Sequence, residues 1–281
     1  MKTDGQKQVG GAIDYLKLGK QVRRRVVDAM VASGRGHLGA AFSIVEILNV
    51  LYEGIVRHDP SNPGDPNRDR VILSKGHGCL ALYAVLARRG YFPDEELLRF
   101  CKPGGILGGH PDHRKIPGVE TSTGSLGHGL AVGIGMALGA RLDQKDYRVF
   151  VILGDGECNE GSIWEAALHA AKHRLDHLVV LVDYNKMQSF GPTRDILDLE
   201  PLADKWRAFG FETREIRQDA PASSLEDLLK GAPFGRGKPN AVIYHSIKGK
   251  GVSFAENSAS WHHKNKLTPE EVRAMYAELA D

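Results

Sequence analysis

Apolar residues recur at helical spacing from residue 12 to 32, AIDYLKLGKQVRRRVVDAMVA, and predict an amphipathic helix with a basic outer face. The glycine-rich SGRGHLGAAFS ends it, and SIVEILNVLYEGI predicts a second helix. The polar, proline-rich HDPSNPGDPNRDR then reads as a loop. Beyond it VILS has the character of a short buried strand, with GHGCLALYAVLARRGY as the helix that follows. Residues 101–126 carry no periodicity, and a loop of that length in a compact domain points to function. GHGLAVGIGMALGARL has helical length but many glycines, which predicts close packing of its backbone against another element.

The middle of the chain has the clearest pattern. YRVFVIL as strand, GDG as turn, SIWEAALHAAKH as helix and HLVVLVDY as strand occupy about 35 residues, the span of one βαβ unit. NAVIYHS reads as another buried strand, and TPEEVRAMYAELA opens with an N-cap threonine and a proline at the first helical position. Strands alternating with helices predict an α/β fold of three layers, a mostly parallel central sheet with helices on both faces. No repeat, low-complexity tract or linker divides residues 1–281, so one domain is expected, with a flexible polar leader at 1–11.

Composition narrows the function classes. With 42% hydrophobic and 26% charged residues the chain is of soluble globular type. Lys and Arg number 37 against 35 acids, and a net charge of +2 implies no field for nucleic acid or a membrane surface. Cys79, Cys101 and Cys158 are odd in number and widely spaced, as reduced thiols would be, with Cys158 expected to pack or face solvent. No signal-like leader is visible, and no apolar run approaches the ~20 residues of a membrane span, so the expected location is the cytoplasm.

The candidate chemistry lies at strand ends, where open α/β sheets bind ligands. In VILGDGECNEG, residues 151–161, Asp155 sits between two glycines just past a strand, and Asn185 follows 30 residues later, past the next. One crossover apart, they would bring a carboxylate and an amide oxygen to one point. These are hard donors suited to Mg²⁺ or Ca²⁺, and Mg²⁺ bound by so few protein groups commonly shares phosphate oxygens. Gly154 and Gly156, lacking Cβ, would let their N–H groups approach that phosphate. By itself GDG is equally a tight turn with a solvated aspartate; Asn185 at crossover spacing argues against that.

These residues carry a family resemblance. GDGECNEGSIWEAALHAAKHRLDHLVVLVDYNKMQSFG resembles the thiamine-diphosphate motif of transketolases. The resemblance implies that Asp155, Asn185 and the Met187 carbonyl hold Mg²⁺, with Ca²⁺ or Mn²⁺ as substitutes, and that Gly156 and Asn185 contact the cofactor. SGRGHLGAAFS resembles the SGHPGAP loop, which places His37 at the substrate mouth, and VILSKGHGCLALYAVL resembles the LSxGH segment, which places His77 on the diphosphate. GGHPDHRKIPGVETSTGSLGHGL resembles GHPE…PGVExTTGPLGQG, so that His110 faces substrate and Gly124, Ser125 and Leu126 line the thiazolium side. KGKGVSFAENSASWHHK resembles the GxG…WHG segment; His262 takes its histidine, for substrate and cofactor, while His263 replaces the usual glycine and leaves the register open by one. Imidazoles suit this chemistry because they exchange protons near neutral pH. Taken singly, each of these histidines is equally a structural hydrogen-bonding group.

A transketolase has three domains, and the resemblance covers the first. It implies an amino-terminal subunit of a split-gene transketolase, partnered by a carboxy-terminal subunit that binds the aminopyrimidine and supplies the activating glutamate. Glu160 matches the acid that meets that glutamate across the interface, although by residue type it is equally a helix-start carboxylate. Two such chains and two partners make the expected heterotetramer, with the helix from Gly127 to Ala140 in its interface. The competing readings are a deoxyxylulose-phosphate-synthase-like half, a 2-oxo-acid dehydrogenase subunit, which has no need of His37 and His110 for a polyol, and a non-catalytic structural or cofactor-sensing subunit. The sugar, whether an ordinary pentose phosphate or a branched or sulfonated analogue, stays open.

Overall fold

The central strands are apolar on both faces, and that is why helices cover the sheet twice. The computed structural model describes residues 13–261, 264 and 266–280. Helix α1 (Tyr15–Ser33) starts at Asp14, whose carboxylate accepts from the Lys17 N–H at 3.0 Å, and stops at left-handed Gly34, whose N–H donates to the Met30 carbonyl at 2.8 Å. Then come α2 (Leu38–Phe42), α3 (Val45–Val50) with a π turn at Leu51–Ile55, β1 (Arg70–Leu73) and α4 (Cys79–Arg88). Helix α5 (Gly129–Leu142), β2 (Val149–Gly154), α6 (Gly161–Lys172) and β3 (Leu178–Tyr184) form the middle. The remainder is α7 (Thr193–Ile196), α8 (Leu202–Ala208), β4 (Glu212–Ile216), α9 (Ala222–Lys230), β5 (Asn240–His245) and α10 (Pro269–Glu278), the last opened by the Thr268–Glu271 capping box.

Among the described residues the five strands are all parallel, in the order β1-β2-β3-β5-β4. Alternate residues feed two cores. Phe150, Ile152, Val179, Leu181, Val242 and Tyr244 join α1, α3 and α4 on one face, while Val151, Leu153, Val180, Val182, Ala241 and Ile243 join α5, α6 and α8 on the other. Each of the Val, Leu, Ile and Phe side chains among these contributes about 1.5–3 kcal/mol through burial. The expected three-layer parallel sheet is therefore the observed one.

Some elements escape the apolar pattern. Strand β4 is at the sheet edge and reads ETREI, with only Thr213 and Ile216 buried and its charges paired outward, Arg214 with Glu212 at 2.6 Å and Arg207 with Glu215 at 3.3 Å. Its stability comes from pairing with β5, which periodicity does not display. Conversely, the helical stretch Leu38–Ile55 is apolar and long enough to cross a membrane, a length the sequence pattern understated, but it is largely buried in the core.

The glycines of α5 have two roles. A Cβ on Gly133 would stand 2.5 Å from Val151 Cγ2, and one on Gly129 2.4 Å from Ser74 Oγ, so the expected close backbone packing is present, against the first two strands. Gly135 and Gly139 face open space. In thermal unfolding of the full chain, Gly133→Ala should cost about 1–3 kcal/mol, a fall of about 2–4 °C in Tm for each kcal/mol. Gly135→Ala should instead be neutral or raise Tm, since it recovers up to about 1 kcal/mol of helix propensity; equal effects at the two positions would contradict this packing.

Candidate active site

Register aligns the strand ends that carry the chemistry. Gly154 of β2 is level with Asp183 of β3, and Asp183 with Tyr244 of β5, so Asp155, Asn185 and Ser246 emerge at one sheet edge. Asp155 is buried, and its two carboxylate oxygens accept from the backbone N–H groups of Gly156 at 2.7 Å and Lys186 at 2.5 Å. The Asn185 amide donates to Asp183 Oδ2 at 3.0 Å, and its oxygen accepts from the Met187 N–H at 3.1 Å. The Met187 carbonyl accepts from Lys248 Nζ at 3.0 Å. One carboxylate, one amide oxygen and one main-chain carbonyl thus gather at this edge.

Two buried ammonium groups face them. Lys75 Nζ lies 2.5 Å from Asp183 Oδ2, and Lys75 and Lys248 both line the cavity above Asp155. Burial, and then the neighbouring Lys75 charge, lowers Lys248 to about 8. Burial, and then the Asp183 charge, raises Asp155 to about 7. For Asp183 burial acts upward too, but Lys75 and the hydroxyls of Ser246 and Ser43 outweigh it and hold the carboxyl below its ordinary range.

The cavity encloses about 270 Å³ and brings together His37, His77, His110, Gly124, Leu126, Asp155, Gly156, Asn185 and Met187. The rings of His37 and His77 meet edge to face at 5.7 Å. Gly124 has φ +148°, and a Cβ there would stand 3.1 Å from His110 Cδ2, so glycine is what keeps that imidazole in place. Ser125 lies instead in an adjoining depression that shares His110 and Gly124 with the cavity. Glu160 is exposed at the N-cap of α6, outside the cavity, without a side-chain cap bond. His262, His263 and the leader 1–11 lie outside the described residues. A larger groove of about 530 Å³ runs along α1, but Arg25 there is paired with Asp94 at 2.9 Å, Asp28 accepts from the Tyr276 hydroxyl at 2.5 Å, and among the described residues no histidine or cysteine lines it.

One expectation about the GDG turn needs correction. The Gly154 N–H does not face the cavity for an incoming phosphate, because it donates to Glu157 Oε2 at 3.1 Å. Glu157, buried, also accepts from the Gly127 N–H at 2.9 Å and from the Ser74 hydroxyl, and burial raises its carboxyl above the ordinary range. Cys158 is buried with Sγ 3.5 Å from the Gly154 carbonyl, so it packs and does not face solvent.

Sequence reasoning passed over Lys75, Glu157, Gln188, Ser189 and Lys248 in the lining, and Asp183 behind it. Lysines and glutamates are mostly solvated, which is why residue type gave no warning. A usable signal existed for Asp183, a lone charge within the apolar strand LVVLVDY, because such a charge needs buried partners.

The donors suit a hard divalent cation. Among the described residues no three His, Cys, Asp or Glu side chains converge as a zinc site would require, whereas Asp155, Asn185 and the Met187 carbonyl are all oxygen donors. Lys75 and Lys248 alongside favour a polyanionic ligand.

A family model described as transketolase, thiamine diphosphate binding domain, matches residues 16–280. The chain belongs to this transketolase family. It is 45% identical to a 6-deoxy-6-sulfo-D-fructose transketolase subunit of Clostridium sp. (strain MSTE9), over 95% of this chain and 96% of that one. It is 43% identical to an apulose-4-phosphate transketolase subunit of Actinobacillus succinogenes, over 94% and 95%. The transketolase of Leishmania mexicana superposes with a TM-score of 0.89 at 28% identity, covering 96% of this chain and 42% of that one. The chain thus spans about two fifths of that longer transketolase and nearly the whole of the subunits.

The Asp155 carboxyl titrates near 7 in the folded chain against an ordinary 3.8. Between those values the native state holds a proton that the unfolded chain has lost, so stability falls as pH rises through this window. Glu157, also raised, acts in the same direction. In chelator, the denaturant midpoint of the full chain, taken relative to that of Asp155→Asn so that opposing groups such as buried His58 cancel, should therefore decline from about pH 4 to 7; a difference independent of pH would refute the assignment.

Proposed function

We propose that this chain is the amino-terminal subunit of a two-component transketolase that, with its partner, transfers a two-carbon ketol unit from a ketose to an aldose. The observation that carries this reading is the meeting of Asp155, Asn185 and the Met187 carbonyl beside buried Lys75 and Lys248, beneath His37, His77 and His110. Asp155, Asn185 and Met187 hold Mg²⁺, for which Ca²⁺ or Mn²⁺ can substitute. His77, the two lysines and Gly156 would hold the diphosphate, the Gly156 N–H exchanging its 2.7 Å bond to Asp155 Oδ1 for a phosphate oxygen once that carboxylate turns to a cation, with Gly124, Ser125 and Leu126 on the thiazolium side. When bound, thiamine diphosphate supplies the nucleophilic carbon and electron sink.

The protein's own groups do the positioning and the proton handling. His37 and His110, with His262 from its motif, face the sugar hydroxyls and carbonyl and exchange protons near neutral pH. At position 124 glycine leaves the His110 imidazole its place at the cavity, where a Cβ would stand 3.1 Å from Cδ2.

The subunit names of the nearly full-length relatives and the two-fifths coverage of longer transketolases support a separate partner. That partner carries the pyrimidine-binding domain and meets Glu160 and the outer face of α5, in an α2β2 assembly located in the cytoplasm. One relative's name carries a sulfonated sugar and another's a phosphorylated one, so the substrate class is a sugar with a terminal anion. The same relatives favour a transketolase over a deoxyxylulose-phosphate-synthase-like or 2-oxo-acid dehydrogenase subunit.

The purified chain alone should turn over no sugar, while the chain reconstituted with its partner should show ketol transfer in a ketose-by-aldose matrix; robust transfer by the single subunit would defeat the two-component reading. Asp155→Ala, which removes a proposed metal ligand, should reduce the reconstituted activity by at least about 100-fold, since losing even a partner behind a ligand commonly costs about 10–100-fold. Unchanged turnover would make the subunit structural.

A further inference from the structure

The sheet edge contains a carboxylate that touches none of the cavity. Asp183 is fully buried in β3, and donors from four separate segments converge on it: Ser43 Oγ at 2.7 Å, Lys75 Nζ at 2.5 Å, Asn185 Nδ2 at 3.0 Å and the Ser246 hydroxyl. We infer that Asp183 is a positioning residue that fixes the side-chain amide of Asn185, so that its carbonyl oxygen, and not its NH₂, faces the cation site. The inference rests on the metal-holding role proposed for Asp155, Asn185 and Met187.

Hydrogen-bond polarity decides the orientation. An ionised carboxylate only accepts, so whatever faces Asp183 must donate. An amide has one oxygen and one NH₂. With the NH₂ against Asp183, the oxygen must point away, toward the Met187 N–H that donates to it at 3.1 Å, and its second lone pair remains for a cation. The opposite rotamer would set the Asn185 oxygen against the carboxylate and an NH₂ against the cation, repulsive at both ends. The Lys75 ammonium, which can only donate, sits 2.5 Å from the same Asp183 oxygen, so that oxygen is an acceptor and the preference is one-sided. Partners behind a ligand commonly change metal affinity by about 10–100-fold when removed.

A rival account has Asp183 serving only the buried ion pair with Lys75, joining strand ends. The two accounts differ in what Asp183→Asn does to metal. With Mn²⁺ followed by electron paramagnetic resonance on the full chain, in inorganic pyrophosphate, Asp183→Asn should weaken binding by at least about 10-fold. Ser43→Ala and Ser246→Ala, which remove donors but leave the carboxylate against Asn185, should stay near wild type. Equal Mn²⁺ affinity in a folded Asp183→Asn variant would overturn the inference alone, whereas no Mn²⁺ binding by the wild type would overturn the metal site and the inference with it. Should Asp183→Asn not fold, nitrogen-15 spectra of the wild type decide the matter. The Asn185 NH₂ pair, assigned by its loss in Asn185→Ser, should exchange slowly with solvent, and exchange at the rate of an exposed amide would refute the orientation.

Discussion

Burying Asp155 and Asp183 within one sheet edge is the constraint on which the rest of the site depends. Each carboxylate would be prohibitively costly there alone. The fold answers with Lys75 from the end of β1, Lys248 from beyond β5, backbone N–H groups from the turn after β2 and the loop after β3, and serine hydroxyls from two further segments. Asp183 receives the stronger set and stays ionised, whereas Asp155 is left under-compensated, which is the condition in which a carboxylate gains most from a divalent cation. The division of roles between two neighbouring acids follows from their partners and not from their exposure.

Parallel register makes that convergence possible. Because β2 and β3 lie level, with Gly154 opposite Asp183, residues far apart in sequence reach one point without a long excursion of the chain. The helices that cover both faces fix the strands but contribute little chemistry; the loops after the strands contribute nearly all of it. Glycine at position 124 shows the tolerance involved, since a single methyl would press on the imidazole of His110.

Much of this was legible in the residues. The βαβ unit, the parallel sheet and the pairing of Asp155 with Asn185 follow from periodicity and spacing, which are local and strong. The histidine loops needed motif likeness, because a histidine in a loop has no periodic signature. What stayed hidden was hidden for physical reasons. β4 is held by its neighbour and by charges, not by an apolar pattern. Lys75 and Lys248 are of a type that is normally solvated, and only tertiary packing encloses them. The engagement of the Gly154 N–H by Glu157 was invisible because it depends on where a side chain folds back, not on which residue is present.

The three bonds made by Glu157 have a thermodynamic consequence. By accepting from Ser74, Gly127 and Gly154 at once, one carboxylate clamps the loops that follow β1, precede α5 and follow β2 into a single body. The conformational entropy of ordering those loops is then lost when the chain folds and not when a ligand arrives. A ligand spanning the diphosphate turn and the Gly124–Leu126 loop meets walls already set at their mutual distance, so its affinity should carry little of the temperature dependence that loop closure would impose.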